Sequence, residues 1–205
     1  AAVTREPAGP FTIEELILEE PRADEVRVKI VATGLCHTDI VVRDQMIPTP
    51  LPLVLGHEGA GIIDAVGSDV KDFQPGDPVV LGFASCRECA QCHAGEPANC
   101  EHFTPLNFGG ARADGSKALS DGKSPIGSHF FGQSSFANYA LVAAKNVVNV
   151  SKSANLELLG PLGCGIMTGA GAVLNALKVS GGESVLISGG GPVGLSAVMA
   201  AKAAG

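Results

Sequence analysis

Four cysteines in one short stretch are the first residues whose types and spacing could do chemistry: Cys86-x2-Cys89-x2-Cys92-x7-Cys100. Three thiols lie on a tight loop and a fourth returns after one excursion, which suits tetrahedral thiolate coordination of zinc. With every position filled by protein, no place is left for water, so such an ion would be structural and would stabilise a loop with little core of its own. Two other readings stay open. Disulfides are one, although three cysteines at successive spacings of three cannot all be cross-linked to one another. An iron–sulfur cluster is the other; ferredoxin-type runs share the first two spacings but close with a shorter gap followed by proline, and here Cys100 precedes Glu101.

The other two cysteines, Cys36 and Cys164, have no near cysteine neighbour, and each alone reads as a core thiol. Cys36 has richer company in Gly34-Leu35-Cys36-His37-Thr38-Asp39, and a second polar knot follows at Gly56-His57-Glu58-Gly59. One histidine with two thiolates is a set that zinc enzymes use while keeping a fourth position open. A single such histidine is more often a hydrogen-bonded core residue. The third candidate is the turn Gly189-Gly190-Gly191-Pro192-Val193-Gly194, which follows an apolar run and opens a helix-forming one. In that context Gly189 permits the tight turn, Gly191 lets a pyrophosphate approach, and Gly194 allows close helix–strand packing, with phosphates at the helix N-terminus. An ordinary glycine turn is the alternative. The acidic residue that separates NAD from NADP, expected about twenty positions on, falls past Gly205.

The elements that must carry these groups change character along the chain. Val26-Arg27-Val28-Lys29-Ile30 alternates with period two and predicts a half-buried strand; residues 59–67, 78–81, 136–142 and 146–150 add short strands bounded by turn residues. The first 150 or so residues therefore read as a small antiparallel barrel. Residues 104–128 show no sustained period and are expected to form a long loop. From residue 156 the texture turns helical, with Met167, Ala170, Leu174 and Leu177 on one face, and Ser184–Ser188 reads as a buried strand leading into the glycine turn and the helix after it. One β-turn-α unit cannot bury its own faces, so the chain is expected to be truncated, with domains at 1–155 and 156–205.

Composition narrows the partners. With 205 residues, 45% hydrophobic and 17% charged, the chain is neither disordered nor collagen-like, and 14 basic against 21 acidic residues give −7. No basic cluster invites nucleic acid or an anionic membrane. The uncharged stretches 158–177 and 184–201 are interrupted by glycine and proline, which disfavours a membrane span. The amino terminus lacks an export signal, and a cytoplasmic location is expected.

Taken in order, these motifs resemble the zinc-dependent medium-chain alcohol dehydrogenases, over residues 26 to 205; Cys164–Gly171 and Phe131–Phe136 look most like the aryl-alcohol (benzyl alcohol) branch. The resemblance implies an α/β protein with a β-rich GroES-like N-terminal domain followed by the start of a Rossmann domain. It further implies oxidation of an alcohol to an aldehyde with NAD and two zinc ions per chain. Cys36, His57 and Cys164 would bind the catalytic zinc, and Cys86, Cys89, Cys92 and Cys100 the structural one. Thr38 matches the position that takes the alcohol proton, Asp39 a carboxylate that orients His57, and Glu58 an acid beside zinc. His37 matches a position facing the cofactor pyrophosphate, and Thr168 and Val193, with the turn Gly189, Gly191, Pro192 and Gly194, positions along the cofactor. Val41 departs from the pattern where many members continue a proton relay with histidine, and His93, His102 and His129 match no ligand position and are read as surface or loop residues. The full-length protein is expected to be a dimer or tetramer acting on a small alcohol or aldehyde, the 205-residue piece alone inactive. A zinc-binding fragment without turnover, or a polyol or glutathione-dependent formaldehyde dehydrogenase, are the alternatives.

Overall fold

The computed structural model describes residues 1–205 as two compact units, Ala1–Gly160 and Pro161–Gly205. The first unit contains the strands β1 (Ala2–Thr4), β2 (Thr12–Ile13), β3 (Ile17–Leu18), β4 (Glu25–Thr33), β5 (Leu53–Val54) and β6 (Gly59–Val66). They are followed by β7 (Pro78–Leu81), β8 (Leu119–Ser120), β9 (Pro125–Ile126), β10 (Tyr139–Ala143) and β11 (Val147–Asn149). Its helices are α1 (His37–Arg43), α2 (Ala90–His93) and α3 (Phe103–Phe108).

A five-stranded antiparallel sheet in the order β10-β4-β6-β7-β11 forms its centre, with two three-stranded sheets, β2-β1-β5 and β3-β8-β9, beside it. The alternation read in residues 26–30 is what seats β4: Val26 and Val28 are fully buried, pair with Val142 and Ala140 of β10, and pack with Ile63, Val79 and Leu81. Irregular register between β4 and β6 near Val28 and Ile30–Ala32 bends the pair as it runs toward Thr33, where the chain leaves for the Cys36 loop.

Some expectations need correction. Residues 104–128 are not one loop, since most of α3 and the hairpin β8–β9 lie within them, the latter recruited into a sheet by β3. The strand expected from residue 136 starts at Tyr139, because Phe136 instead packs against the cluster around Val42, Leu53, Leu55 and Phe130. His129 is neither a surface nor a loose loop residue: it is 5% exposed.

The second unit holds α4 (Gly165–Gly171), a π-turn at Ala172–Ala176 and α5 (Pro192–Ala203), joined around Val173, Ala197 and Ala200. The Ser196 hydroxyl donates to the Val193 carbonyl at 2.8 Å, with the Gly165 carbonyl at 3.2 Å. Here the helical face expected at Met167, Leu174 and Leu177 is exposed, and Ser184–Ser188 forms no strand, with Leu186 98% exposed. A strand exists through its partner's hydrogen bonds, and no second strand pairs with this segment in the unit. No helix of the chain is long and apolar enough to cross a membrane.

Candidate metal centres

The four-cysteine run forms a lobe built from turns. Cys89 precedes α2, which brings Cys92 round, and a 3-10 turn at Pro97–Asn99 delivers Cys100. All four are thiols, not disulfides, and their sulfurs lie within 4.8 Å of one another. Three separations are 3.5 Å (Cys86–Cys100), 3.8 Å (Cys86–Cys92) and 4.0 Å (Cys89–Cys100). Zinc–sulfur bonds of about 2.3 Å place the corners of a tetrahedron about 3.8 Å apart, so the sulfurs fit such an ion. The backbone N–H groups of Glu88 and Cys89 donate to Cys86 Sγ, and that of Cys86 to Cys100 Sγ, at 3.3–3.4 Å. The Cys92 and Glu101 amides hold the Cys89 thiol down to about 6, whereas partial desolvation pushes Cys92 up to about 11. The lobe is tied back by Lys145 Nζ to the Cys86 carbonyl at 3.3 Å. It is also tied by Asn107, fully buried, whose side chain exchanges two 2.9 Å bonds with the backbone N–H and C=O of Ala84. Asn107 falls in the stretch expected to be a loop; its role as a backbone surrogate shows in the fold alone.

A second donor group gathers Cys36, His57 and Glu58, whose ligand atoms also lie within 4.8 Å of one another. Cys36 precedes α1, and Asp39, inside its first turn and fully buried, fastens the group. One carboxylate oxygen of Asp39 accepts the Cys36 N–H at 3.0 Å; the other accepts the Gly56 N–H at 3.0 Å and lies 3.1 Å from His57 Nδ1. With the carboxylate on Nδ1, the proton sits there and the lone pair on Nε2, the tautomer suited to a metal. Against burial, which opposes it, the Thr38 N–H and hydroxyl and the nearby His57 hold the Cys36 thiol below its ordinary range. Thr38 Oγ1 is 3.6 Å from Cys36 Sγ. Glu58 comes this close because residue 34 is glycine: a Cβ there would overlap its carboxylate.

Behind the group, buried Gln133 accepts the Gly59 N–H and donates to the His57 carbonyl, both at 3.0 Å. In front, the Phe131 ring stacks on His57 with centroids 4.7 Å apart, while Phe130 meets it edge-on at 5.5 Å. Phe131 holds this place with a left-handed backbone, φ 49°. Phe83, Phe103 and Phe108 extend the aromatic wall. Neither Gln133 nor this wall was singled out for the site by sequence reasoning. His37 is exposed on the first turn of α1.

In the second unit Cys164 precedes α4, and its carbonyl accepts the Thr168 hydroxyl at 2.8 Å. Gly191 precedes α5 and Pro192 is its first residue. A Cβ on Gly194 would overlap the Gly189 carbonyl, whereas beside Gly189, Gly190 and Gly191 the space is open. Val193 is 46% exposed next to that opening.

Residues 22–152 match the alcohol dehydrogenase GroES-like domain. The chain belongs to that alcohol dehydrogenase family. The geraniol dehydrogenase of Castellaniella defragrans is 52% identical over 206 residues, covering all of this chain and 55% of its own length. An alcohol dehydrogenase class-3 from Caenorhabditis elegans is 44% identical over 208 residues, with 54% of its length covered. Among solved structures, benzyl alcohol dehydrogenase from Acinetobacter calcoaceticus superposes with a TM-score of 0.95 at 53% identity, over all of this chain and 55% of that one. An alcohol dehydrogenase zinc-binding domain protein from Burkholderia ambifaria gives 0.97 at 57%, again over the whole chain and 56% of its own. The chain thus spans about half the length of the curated relatives it matches, its GroES-like part matching theirs as the sequence implied.

Proposed function

We propose that the protein is a zinc- and NAD-dependent dehydrogenase that oxidises a primary alcohol of aromatic, benzyl type to its aldehyde. The observation that carries this reading is the gathering of Cys36, His57 and Glu58, the first two fastened to one buried carboxylate, Asp39, against a wall of phenylalanines. In this reading Cys164 supplies the third protein ligand. Gly160, the last residue of the first unit, lies against the Glu58 carbonyl, and three residues, Pro161, Leu162 and Gly163, follow it in the chain before Cys164.

When bound, zinc would polarise the substrate oxygen and NAD would accept the hydride. The chain's own residues do the rest. Asp39 fixes the ring of His57 and the loop of Cys36. Thr38 places a hydroxyl beside Cys36, where it takes the alcohol proton, and Val41 provides no onward acceptor on α1, so the proton leaves by another path. Glu58 stands as an additional acid in the ligand group. Phe131 and Phe103, with Phe83 and Phe108 behind, offer edges and faces to an aromatic ring. Gly189, Gly191, Pro192 and Gly194 would hold the cofactor phosphates at the N-terminus of α5, Thr168 and Val193 would serve the nicotinamide, and His37 would serve the pyrophosphate. A reducing compartment, the cytoplasm, suits six thiols, and assembly of full-length chains into dimers or tetramers belongs to the same proposal.

Relative turnover with NAD on benzyl alcohol, geraniol, sorbitol and the glutathione adduct of formaldehyde tests the substrate class; benzyl alcohol should give the highest kcat/KM. Oxidation that survives complete zinc removal would sink the mechanism.

A further inference from the structure

The ring stacked on His57 belongs to a residue in an unfavourable conformation. Phe131 has φ 49° and ψ 33°, the left-handed region, where a bulky side chain is disfavoured and glycine is usual. Such a residue persists only where its surroundings over-determine it. The turn itself does not ask for a phenylalanine. The Gly132 N–H donates to the His129 carbonyl at 2.9 Å and the Gln133 N–H to the Phe130 carbonyl at 3.1 Å, bonds that a glycine at 131 would leave in place. What offsets the backbone cost must therefore lie at the ring.

The Phe131 ring puts one face on His57 and meets Phe130, its neighbour in the chain, edge-on at 4.9 Å. From α3, Phe108 meets it edge-on at 5.1 Å and Phe103 at 6.2 Å. Phe108 also packs edge-on to buried Phe130 at 6.0 Å and belongs to the cluster of Val42, Leu53 and Leu55, so one side chain braces both rings that touch His57. Its own place is fixed by the residue before it. Asn107 exchanges two bonds with Ala84 and donates a third to the Phe103 carbonyl at 2.8 Å, while the Phe103 N–H donates to the Cys100 carbonyl at 2.9 Å. The helix that carries Phe108 is thus fastened to the four-cysteine lobe at both ends, to Cys100 where the chain leaves it and to Ala84 just before the chain enters at Cys86.

We propose that Phe108 is a positioning residue of the alcohol site: it holds Phe131 in the left-handed conformation with its ring on His57, and through it the lobe shapes the wall that receives an aromatic substrate. The inference rests on the reading of the Cys36–His57–Glu58 group as the alcohol site. Without the Phe108 edge, less packing stands against the backbone cost at Phe131, and its ring leaves the face of His57.

The test uses the full-length, zinc-loaded protein carrying carbon-13 at the histidine Cε1 position, with Phe131→Ala, Phe108→Leu and the double variant beside the wild type. A ring face shields the protons stacked on it, so Phe131→Ala identifies the His57 signal by moving it downfield. Phe108→Leu keeps an apolar side chain but removes the ring edge; it should move the same signal the same way, with both zinc ions retained. The KM for benzyl alcohol should rise about 3–10-fold, the contribution of one aromatic pair, with the change falling on KM more than on kcat. In the Phe131→Ala background the same substitution should add nothing. Phe108→Tyr, which restores the ring, should return both readouts toward the wild type. Should Phe108→Leu fail to fold, Phe108→Met, a more adaptable filler, takes its place. A His57 signal that Phe108→Leu leaves unmoved, effects that add in the double variant, or a Phe108→Tyr protein as impaired as Phe108→Leu would overturn the proposal. A wild type that does not oxidise benzyl alcohol would overturn the substrate reading instead, and the His57 signal would still decide the role of Phe108.

Discussion

Replacing Asp39 with asparagine keeps shape and volume and removes only the charge and one acceptor. The fully buried carboxylate takes N–H bonds from Cys36 and Gly56 and faces His57 Nδ1, at 3.0–3.1 Å. An asparagine oxygen placed like Oδ1 still serves Gly56 and His57, but its amide then meets the Cys36 N–H, donor against donor. Leaving that buried N–H unsatisfied costs about 1–3 kcal/mol of stability. Two of the gathered ligand positions, Cys36 and His57, lose their common anchor, and removing such an outer partner typically weakens metal binding by about 10–100-fold, or roughly 1.4–2.7 kcal/mol. Zinc release to a chromogenic chelator would measure this, the four-cysteine lobe serving as internal reference because Asp39 does not touch it. In Asp39→Asn one zinc should leave about 10–100-fold more readily while the other is held as before. A variant that folds and retains both ions like the wild type would refute the assignment of Asp39, and equal weakening of both would show a general loss of fold instead.

Glu25, 4% exposed, is pushed up by burial, yet His129, Arg112 and the Arg22 N–H together bring it from an ordinary 4.5 to about 2. A lowered carboxyl contributes its full share above its unfolded value and loses it as pH falls through the folded one. Glu25→Gln should therefore cost about 3 kcal/mol near neutrality, a gap that narrows from pH 4.5 toward 2 in urea titrations, and a gap independent of pH would contradict this. Asn107→Ala strands the Ala84 N–H and C=O, and its denaturation midpoint should report a loss of about 2–4 kcal/mol. Gly34→Ala drives a methyl into the Glu58 carboxylate and should lower zinc content at the Cys36 group while sparing the lobe, as elemental analysis would show. Cys100→Ser should lower Tm, and added chelator should lower the wild-type Tm toward the same value, since the lobe has few apolar contacts to replace the ion.

The sequence was most informative where chemistry is local. The spacing of Cys86, Cys89, Cys92 and Cys100 already dictated that loop turns could converge their sulfurs, and the alternation at Val26–Ile30 already assigned the buried face of β4. What escaped was long-range. Asn107 bonds Ala84 across 23 residues, Gln133 bonds Gly59 across 74, and Arg112 reaches Glu25 across 87; no periodicity connects such pairs. His129 was misread for the same reason, since only the closed fold places it beside Glu25, with Nε2 3.6 Å from its carboxylate. The Ser184–Ser188 run was misread because apolar residues between turns fix an extended segment, whereas a strand also needs a neighbour. The misreadings of polar residues share one cause. Buried polar residues are chosen by the backbone groups they must satisfy, and those groups are known only once the chain has closed around them. Gln133 illustrates the point: from the sequence it is one amide in a glycine- and serine-rich bend, yet in the fold it holds both the Gly59 N–H and the His57 carbonyl, and so sets the backbone on which the donor group is built.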